Sequence, residues 1–113
     1  MRQYLLIFVV LIASNLFAQQ ESPTLFAQCV FVIADEIELL QVETQIKEHP
    51  NVQLVRLDHN TQRAFILTKD IEHLTEQELK SWFNTYSESV RCVQIGVYGI
   101  DEIDLYPFEN CQQ

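Results

Sequence analysis

Glycine is nearly absent from this chain, with only Gly96 and Gly99 among 113 residues. A loop that wraps a phosphate group needs glycines, because its backbone amides must approach the anion closely. We therefore predict no nucleotide-binding loop. No serine lies in a Gly-x-Ser-x-Gly context either, so no catalytic nucleophile is predicted. The sequence gives no residue-level support for an enzyme.

Basic residues are also scarce, since 7 Lys and Arg stand against 16 Asp and Glu and give a formal charge of −9. Such a surface repels nucleic acid and anionic lipid surfaces, so neither is an expected partner. Cations or a basic protein partner are favoured electrostatically. The sequence leaves the identity of any partner and the oligomeric state open.

The first residues have the layout of a secretory signal peptide. Arg2 precedes an apolar run from Tyr4 to Ala13, and Ala18 ends the segment before polar residues. We predict a signal peptide at 1–18 and a short linker at 19–24. An uncleaved membrane anchor is the alternative, but the run is short for a spanning helix. The expected location is the periplasm or the outside of the cell, with no stable membrane insertion after cleavage.

The rest of the chain alternates between strand and helix patterns. The apolar stripe Leu39, Val42 and Ile46, widened by Ile37 and Leu40, predicts one helix, and Leu79, Trp82, Phe83 and Tyr86 predict another. Both Trp82 and Phe83 are expected to be largely buried. The predicted elements are a strand at 25–34, a helix at 35–50, strands at 52–58 and 63–68, a helix at 75–88 and a strand at 90–99.

This order predicts an α+β fold, a ferredoxin-like βαββαβ sandwich with a four-stranded antiparallel sheet and two helices on one face. Right-handed crossovers place the first and third strands at the centre. The domain is predicted at 25–99, and an acidic C-terminal tail at 100–113 is expected to pack on it.

Two stretches carry a family resemblance: "HPNVQLVRLDHNTQRAFI" at 49–66 and "LTEQELKSWF" at 74–83. They resemble the middle and the second helix of heavy-metal-associated domains, the modules of copper chaperones and metal-pumping ATPases. The resemblance covers Phe26–Tyr98. It implies a ferredoxin-like fold, and it implies a Cys-x-x-Cys metal site where the first strand meets the first helix.

The positions of those two thiolates are occupied here by Asp35 and Glu38. Carboxylates are hard ligands and Cu(I) prefers thiolates, so family-type copper transfer is not implied. Capping of the first helix by Asp35, with Glu36 and Glu38 near its positive end, explains the acidic cluster more simply. A weak hard-cation site is the alternative. No metal and no cofactor is therefore predicted at this position.

The face of the sheet away from the helices is predicted to be strongly apolar. We expect Val30, Val55, Ile66, Val93 and Ile95 to point to the helices, from the alternation along each strand. The outward set is then Cys29, Phe31, Leu54, Phe65, Leu67 and Cys92. Such a patch either binds a partner or is covered by the tail, and cover by the tail is the favoured interpretation. The candidate partner surface is Phe31, Leu54, Phe65 and Leu67.

Three cysteines permit one disulfide in an oxidising compartment, and none lies in a Cys-x-x-Cys motif. The entropy of loop closure does not choose between Cys92 and Cys29 as the partner of Cys111. Pairing of Cys92 with Cys111 is slightly favoured, because its shorter path needs no particular docking of the first strand. Pairing of Cys29 with Cys111, or of Cys29 with Cys92, stays open.

The predicted function is an exported non-catalytic interaction or structural module of the cell envelope. The alternative is a metal-handling protein that binds a divalent or soft ion through cysteines and acidic residues outside the usual motif.

Overall fold

The structure, a computed structural model, describes residues 22–108 and Cys111. The predicted signal peptide and the first half of the predicted linker lie outside the described residues. The elements are β1 (Leu25–Val30), α1 (Glu36–Lys47), β2 (Val52–Asp58), β3 (Arg63–Thr68), α2 (Glu76–Ser81), a 3-10 helix (Asn84–Ser89) and β4 (Arg91–Val97).

The four strands form one antiparallel sheet in the order β2-β3-β1-β4. This is the order that right-handed crossovers require for βαββαβ, with the first and third strands in the centre. The predicted fold class is therefore confirmed. The two edges of the sheet are β2 and β4.

The main core lies between the sheet and the helices. Leu39, Val42 and Ile46 of α1 are buried there, as the helical spacing predicts. The sheet contributes Ala27 and Ile66, which pair across β1 and β3 and belong to the same cluster. Each fully buried aliphatic side chain of this kind stabilises the fold by about 1.5–3 kcal/mol.

The predicted facing of β1 is wrong by one residue. Cys29 and Phe31 were expected on the open face, but both are buried on the helix side, where Phe31 meets the ring of Phe83 at a centroid distance of 5.9 Å. Val30, expected to face the helices, pairs with Arg63 of β3 and lies outside the core cluster. The segment is apolar at nearly every position, so alternation between polar and apolar residues cannot indicate which face is which.

The second predicted helix is shorter than its pattern indicates. After α2 the chain tightens into the 3-10 helix, and Asn84 at their junction has a φ of 53°. Ser81 contributes to the break, because its hydroxyl donates to the carbonyl of Glu78 at 2.6 Å. The change of direction buries Phe83 completely, as predicted, and leaves Trp82 partly buried, packed against the edge of the core cluster.

The apolar stripe of α1 is also narrower than predicted. Ile37 and Leu40 were expected to widen it, but they are 69% and 54% exposed. Both are available to solvent on the outer side of the helix. They therefore add little to the stability of the domain.

Candidate functional site

Asp35 is the N-cap of α1. Its carboxylate Oδ1 accepts from the amide of Ile37 at 2.8 Å and from that of Glu38 at 3.2 Å. These are two of the amides that a helix start leaves without partners. Glu38 accepts a hydrogen bond from the hydroxyl of Tyr86, which raises the pKa of that phenol. Both acidic side chains therefore make hydrogen bonds that hold the start of α1 in place.

The loop that precedes α1 is fixed by the turn between β2 and β3. The amides of Phe31 and Ile33 donate to the carbonyl and side-chain oxygens of Gln62 at 2.9 and 2.6 Å. The Nε2 of His59 lies 2.8 Å from the carbonyl of Ala34 and donates to it, since a carbonyl only accepts. The loop is thus committed to hydrogen bonds within the domain.

The cap leads to a prediction about stability. Asp35→Ala should lower the free energy of unfolding by about 1 kcal/mol, because two amides lose their acceptor. Asp35→Asn, the matched control, retains a side-chain oxygen and should cost much less. Urea unfolding of the three proteins measures both changes. Tight Cu(I) binding that disappears in Asp35→Ala would contradict the assignment of Asp35 as a cap.

The three cysteines are all removed from metal chemistry. Cys92 and Cys111 form a disulfide, with Cα atoms 5.3 Å apart, which confirms the favoured pairing. Cys29 is a buried free thiol, and desolvation raises its pKa to about 12. The thiol of Cys29 therefore stays protonated at physiological pH. A metal ion binds the thiolate form, so Cys29 is a poor ligand. Within residues 22–108 and Cys111, no three His, Cys, Asp or Glu side chains are grouped so as to hold a metal ion.

The tail turns back beneath the open face of the sheet and is held there by two glutamines. Gln28 of β1 and Gln94 of β4 lie side by side, with a hydrogen bond of 2.7 Å between their amides. Gln28 also donates to the carbonyl of Asp104, and Gln94 donates to the carbonyl of Glu102, both at 2.9 Å. Gln28 is buried with its polar atoms satisfied, so losing the tail would remove one of the two acceptors of its amide nitrogen.

The start of the tail closes over an aromatic side chain. Phe26 lies on the open face and is 0% exposed. Its ring occupies the space above Gly96, where an added Cβ would come within 2.8 Å of the ring. Asp101 supports the turn, because its carboxylate accepts from the amide of Val97 at 2.7 Å. A glycine is required at position 96 for this close approach.

The tail presents apolar side chains to solvent both at its start and farther along. Ile100 is 81% exposed and Leu105 is 87% exposed. Tyr106 is also exposed, although its ring lies edge-on to Phe108 and below the guanidinium of Arg63. A cavity of about 480 Å³ separates this part of the tail from β4. Its lining includes the acidic residues Glu102 and Asp104.

The predicted partner surface is divided between the two faces. Phe31 is 2% exposed on the helix side and cannot take part. Leu54, Phe65 and Leu67 lie on the open face, as their register with β1 requires, and are half-buried. Binding of a partner by these three residues stays a prediction.

The sequence analysis missed the pair Gln28 and Gln94. Two glutamines that interrupt two apolar strands are nevertheless a usable signal of a polar contact.

Among the described residues, no helix has the length and apolar character needed to cross a membrane. No protein-family model, no curated protein and no solved structure matches this chain.

Proposed function

We propose that the protein is an exported, non-catalytic interaction module of the cell envelope, similar in its domain to the heavy-metal-associated family but without that family's thiolate metal site. The observation that carries this proposal is the tail, which is covalently fixed to β4 and still exposes large apolar side chains. The disulfide supports the proposed location, because such bonds persist in oxidising compartments such as the periplasm and the extracellular space.

The binding surface is the tail surface, defined by the apolar residues Ile100, Leu105 and Tyr106 and by the acidic residues beside them. Exposed apolar side chains on an anchored segment lose little further conformational freedom when a partner covers them. That favours binding over a purely structural role. The acidic residues of the tail surface are Asp101, Glu102 and Asp104.

The charge of the chain indicates the class of partner. The formal net charge is −9, so a basic protein would be attracted at long range and an acidic one repelled. Aromatic residues such as Tyr106 are common at the centres of interfaces. A basic protein with an apolar patch is therefore the expected partner.

A metal-handling role has less support. It needs soft ligands outside the usual motif, but Cys92 and Cys111 are joined to each other and Cys29 is buried. What remains is the acidic tail, whose carboxylates suit weak hard-cation binding. No feature of the described residues favours this role over protein interaction.

A photo-crosslinking experiment tests the proposal. A benzophenone amino acid replaces Leu105 in the exported protein, and an identical substitution at Gln41, which is exposed on α1, is the matched control. We expect one discrete protein adduct from position 105, and none of that adduct from position 41. The adduct should diminish as the salt concentration rises, because the attraction is electrostatic.

The same set of adducts from both positions would contradict the proposal, as would no adduct from position 105. The variant Leu105→Ser provides a second measurement without the bulky probe. Purified wild-type protein should compete for the crosslink in a dose-dependent manner, and Leu105→Ser should compete poorly.

A further inference from the structure

The two edges of the sheet differ in whether their outward backbone amides and carbonyls have hydrogen-bond partners within the domain. At the β2 edge, α1 packs alongside, and Glu43 accepts from the outward amide of Leu57 at 2.9 Å. An exposed strand edge invites pairing with another chain, and native folds commonly block it with a charged side chain. The β2 edge is thus partly blocked by its own domain.

The β4 edge is blocked at its Val97 end, and a register shift opposite Cys29 interrupts it near Arg91. The amide of Tyr98 donates inward to the carbonyl of Thr24 at 2.8 Å, and the amide of Val97 donates outward to Asp101. Because backbone groups alternate along a strand, the amide and carbonyl of Ile95 and the carbonyl of Val93 also point outward. The alternation is interrupted beyond Val93, where Cys92 has a φ of 59°. Among residues 22–108 and Cys111, no side chain and no turn or loop backbone group is hydrogen-bonded to these three groups.

The first residues of the tail contact the edge only at Val97, and the described hydrogen bonds of its next residues run to side chains on the open face. Gln94 is the β4 residue that holds it, at Glu102 and Asp104. Between β4 and the tail lies the cavity of about 480 Å³, and Val93 and Gln94 line its inner wall. An open strand edge therefore lies beside a cavity with two acidic residues in its lining.

We propose that the β4 edge accepts an extended segment of a basic protein as a fifth strand of the sheet. This inference rests on the proposed interaction function and specifies its geometry. Backbone hydrogen bonds to Ile95 and Val93 bind the segment, and alternate side chains give specificity. A lysine or arginine of the segment enters the cavity beside Glu102 and Asp104. A second copy of the chain is disfavoured as the occupant, because each copy carries a formal charge of −9.

The test uses the oxidised protein and a synthetic peptide of alternating lysine and valine, equal in length to β4. An alternating glutamate and valine peptide is the charge control. In nitrogen-15 spectra, the amides of Val93 and Ile95 should shift when the lysine peptide is added, and the amide of Ile95 should exchange more slowly with solvent deuterium. The glutamate peptide should produce neither change, because the cavity and the whole chain are acidic.

Two variants test the backbone contact. Ile95→Pro removes one outward amide and keeps the pairing with β1, since proline is tolerated where its nitrogen faces solvent. It should weaken peptide binding by about tenfold, the effect of one lost hydrogen bond and a distorted edge. Ile95→Val, the matched control, keeps the amide and should bind within about twofold of wild type. If Ile95→Pro does not fold, the deuterium-exchange measurement on the wild-type protein still tests the inference.

The inference is overturned if the lysine peptide fails to bind at about 1 mM, or if it binds without affecting the β4 amides. It is also overturned if the protein sediments as a dimer that Ile95→Pro dissociates, because the edge then belongs to a second copy. The proposed function is judged separately, by the crosslink at position 105. A discrete adduct there, together with unaffected β4 amides, would keep the interaction module and remove the fifth strand.

Discussion

Replacing Cys111 with serine should lower the free energy of unfolding by about 3 kcal/mol, because the disulfide to Cys92 limits the freedom of the unfolded chain. The two residues are 19 apart in sequence, and their Cα atoms are 5.3 Å apart, a separation that suits an unstrained backbone. The loss should exceed that of Asp35→Ala, since the tail also covers Phe26 and supplies a partner for Gln28.

Urea unfolding with and without reductant measures this effect. Reduction of the wild-type protein should reproduce the loss seen in Cys111→Ser. The double variant Cys92→Ser with Cys111→Ser is the matched control, and its unfolding midpoint should not respond to reductant, because the remaining Cys29 has no partner. Equal stability of the oxidised and reduced wild-type protein would contradict the anchoring role of the tail.

The overall fold could be predicted because its signals are local and agree with one another. The stripe of Leu39, Val42 and Ile46 has the helical period, and all three residues are buried. Asp35 and Thr75 begin α1 and α2 as caps, with side chains that accept from backbone amides of the first turn. Helix starts depend on a few adjacent residues, so they can be identified without knowledge of the tertiary structure.

The facing of β1 could not be predicted because it depends on contacts distant in sequence. Ala27 faces the helices since it pairs with Ile66 on one side and with Ile95 on the other. On both sides of β1 the side chains are buried, one face by the helices and the other partly by the tail. A strand covered on both faces has no polar side to reveal its orientation.

The candidate site was only partly predictable for a related reason. The sequence favours the pairing of Cys92 with Cys111 only slightly, because that path needs no particular docking of β1, and the structure confirms it. The path of the tail depends on Gln28 and Gln94, which meet only after β1 and β4 are paired. Open backbone groups on β4 are a property of the assembled sheet, so no single segment of the sequence indicates them.

The contrast between Trp82 and Phe83 gives the largest expected effect of a single substitution. The helical spacing treats the two residues alike, but Phe83 is 0% exposed and contacts Phe31, whereas Trp82 is half-buried with its ring 4.9 Å from that of His49. Phe83→Ala removes a ring from the centre of the core and leaves a cavity. It should cost about 3–5 kcal/mol, much of the 5–15 kcal/mol that typically stabilises a domain.

Trp82→Ala should cost less than Phe83→Ala, about 1–2 kcal/mol, because part of the indole is in contact with water and its loss leaves no closed cavity. Phe83→Leu is the matched control for volume and should cost about 1.5 kcal/mol or less. Chemical unfolding of the three variants, all kept oxidised, gives the comparison directly. If Trp82→Ala were the more damaging substitution, the turn at Asn84 would be misplaced, and the continuous second helix that the sequence pattern predicts would be the better description of 75–88.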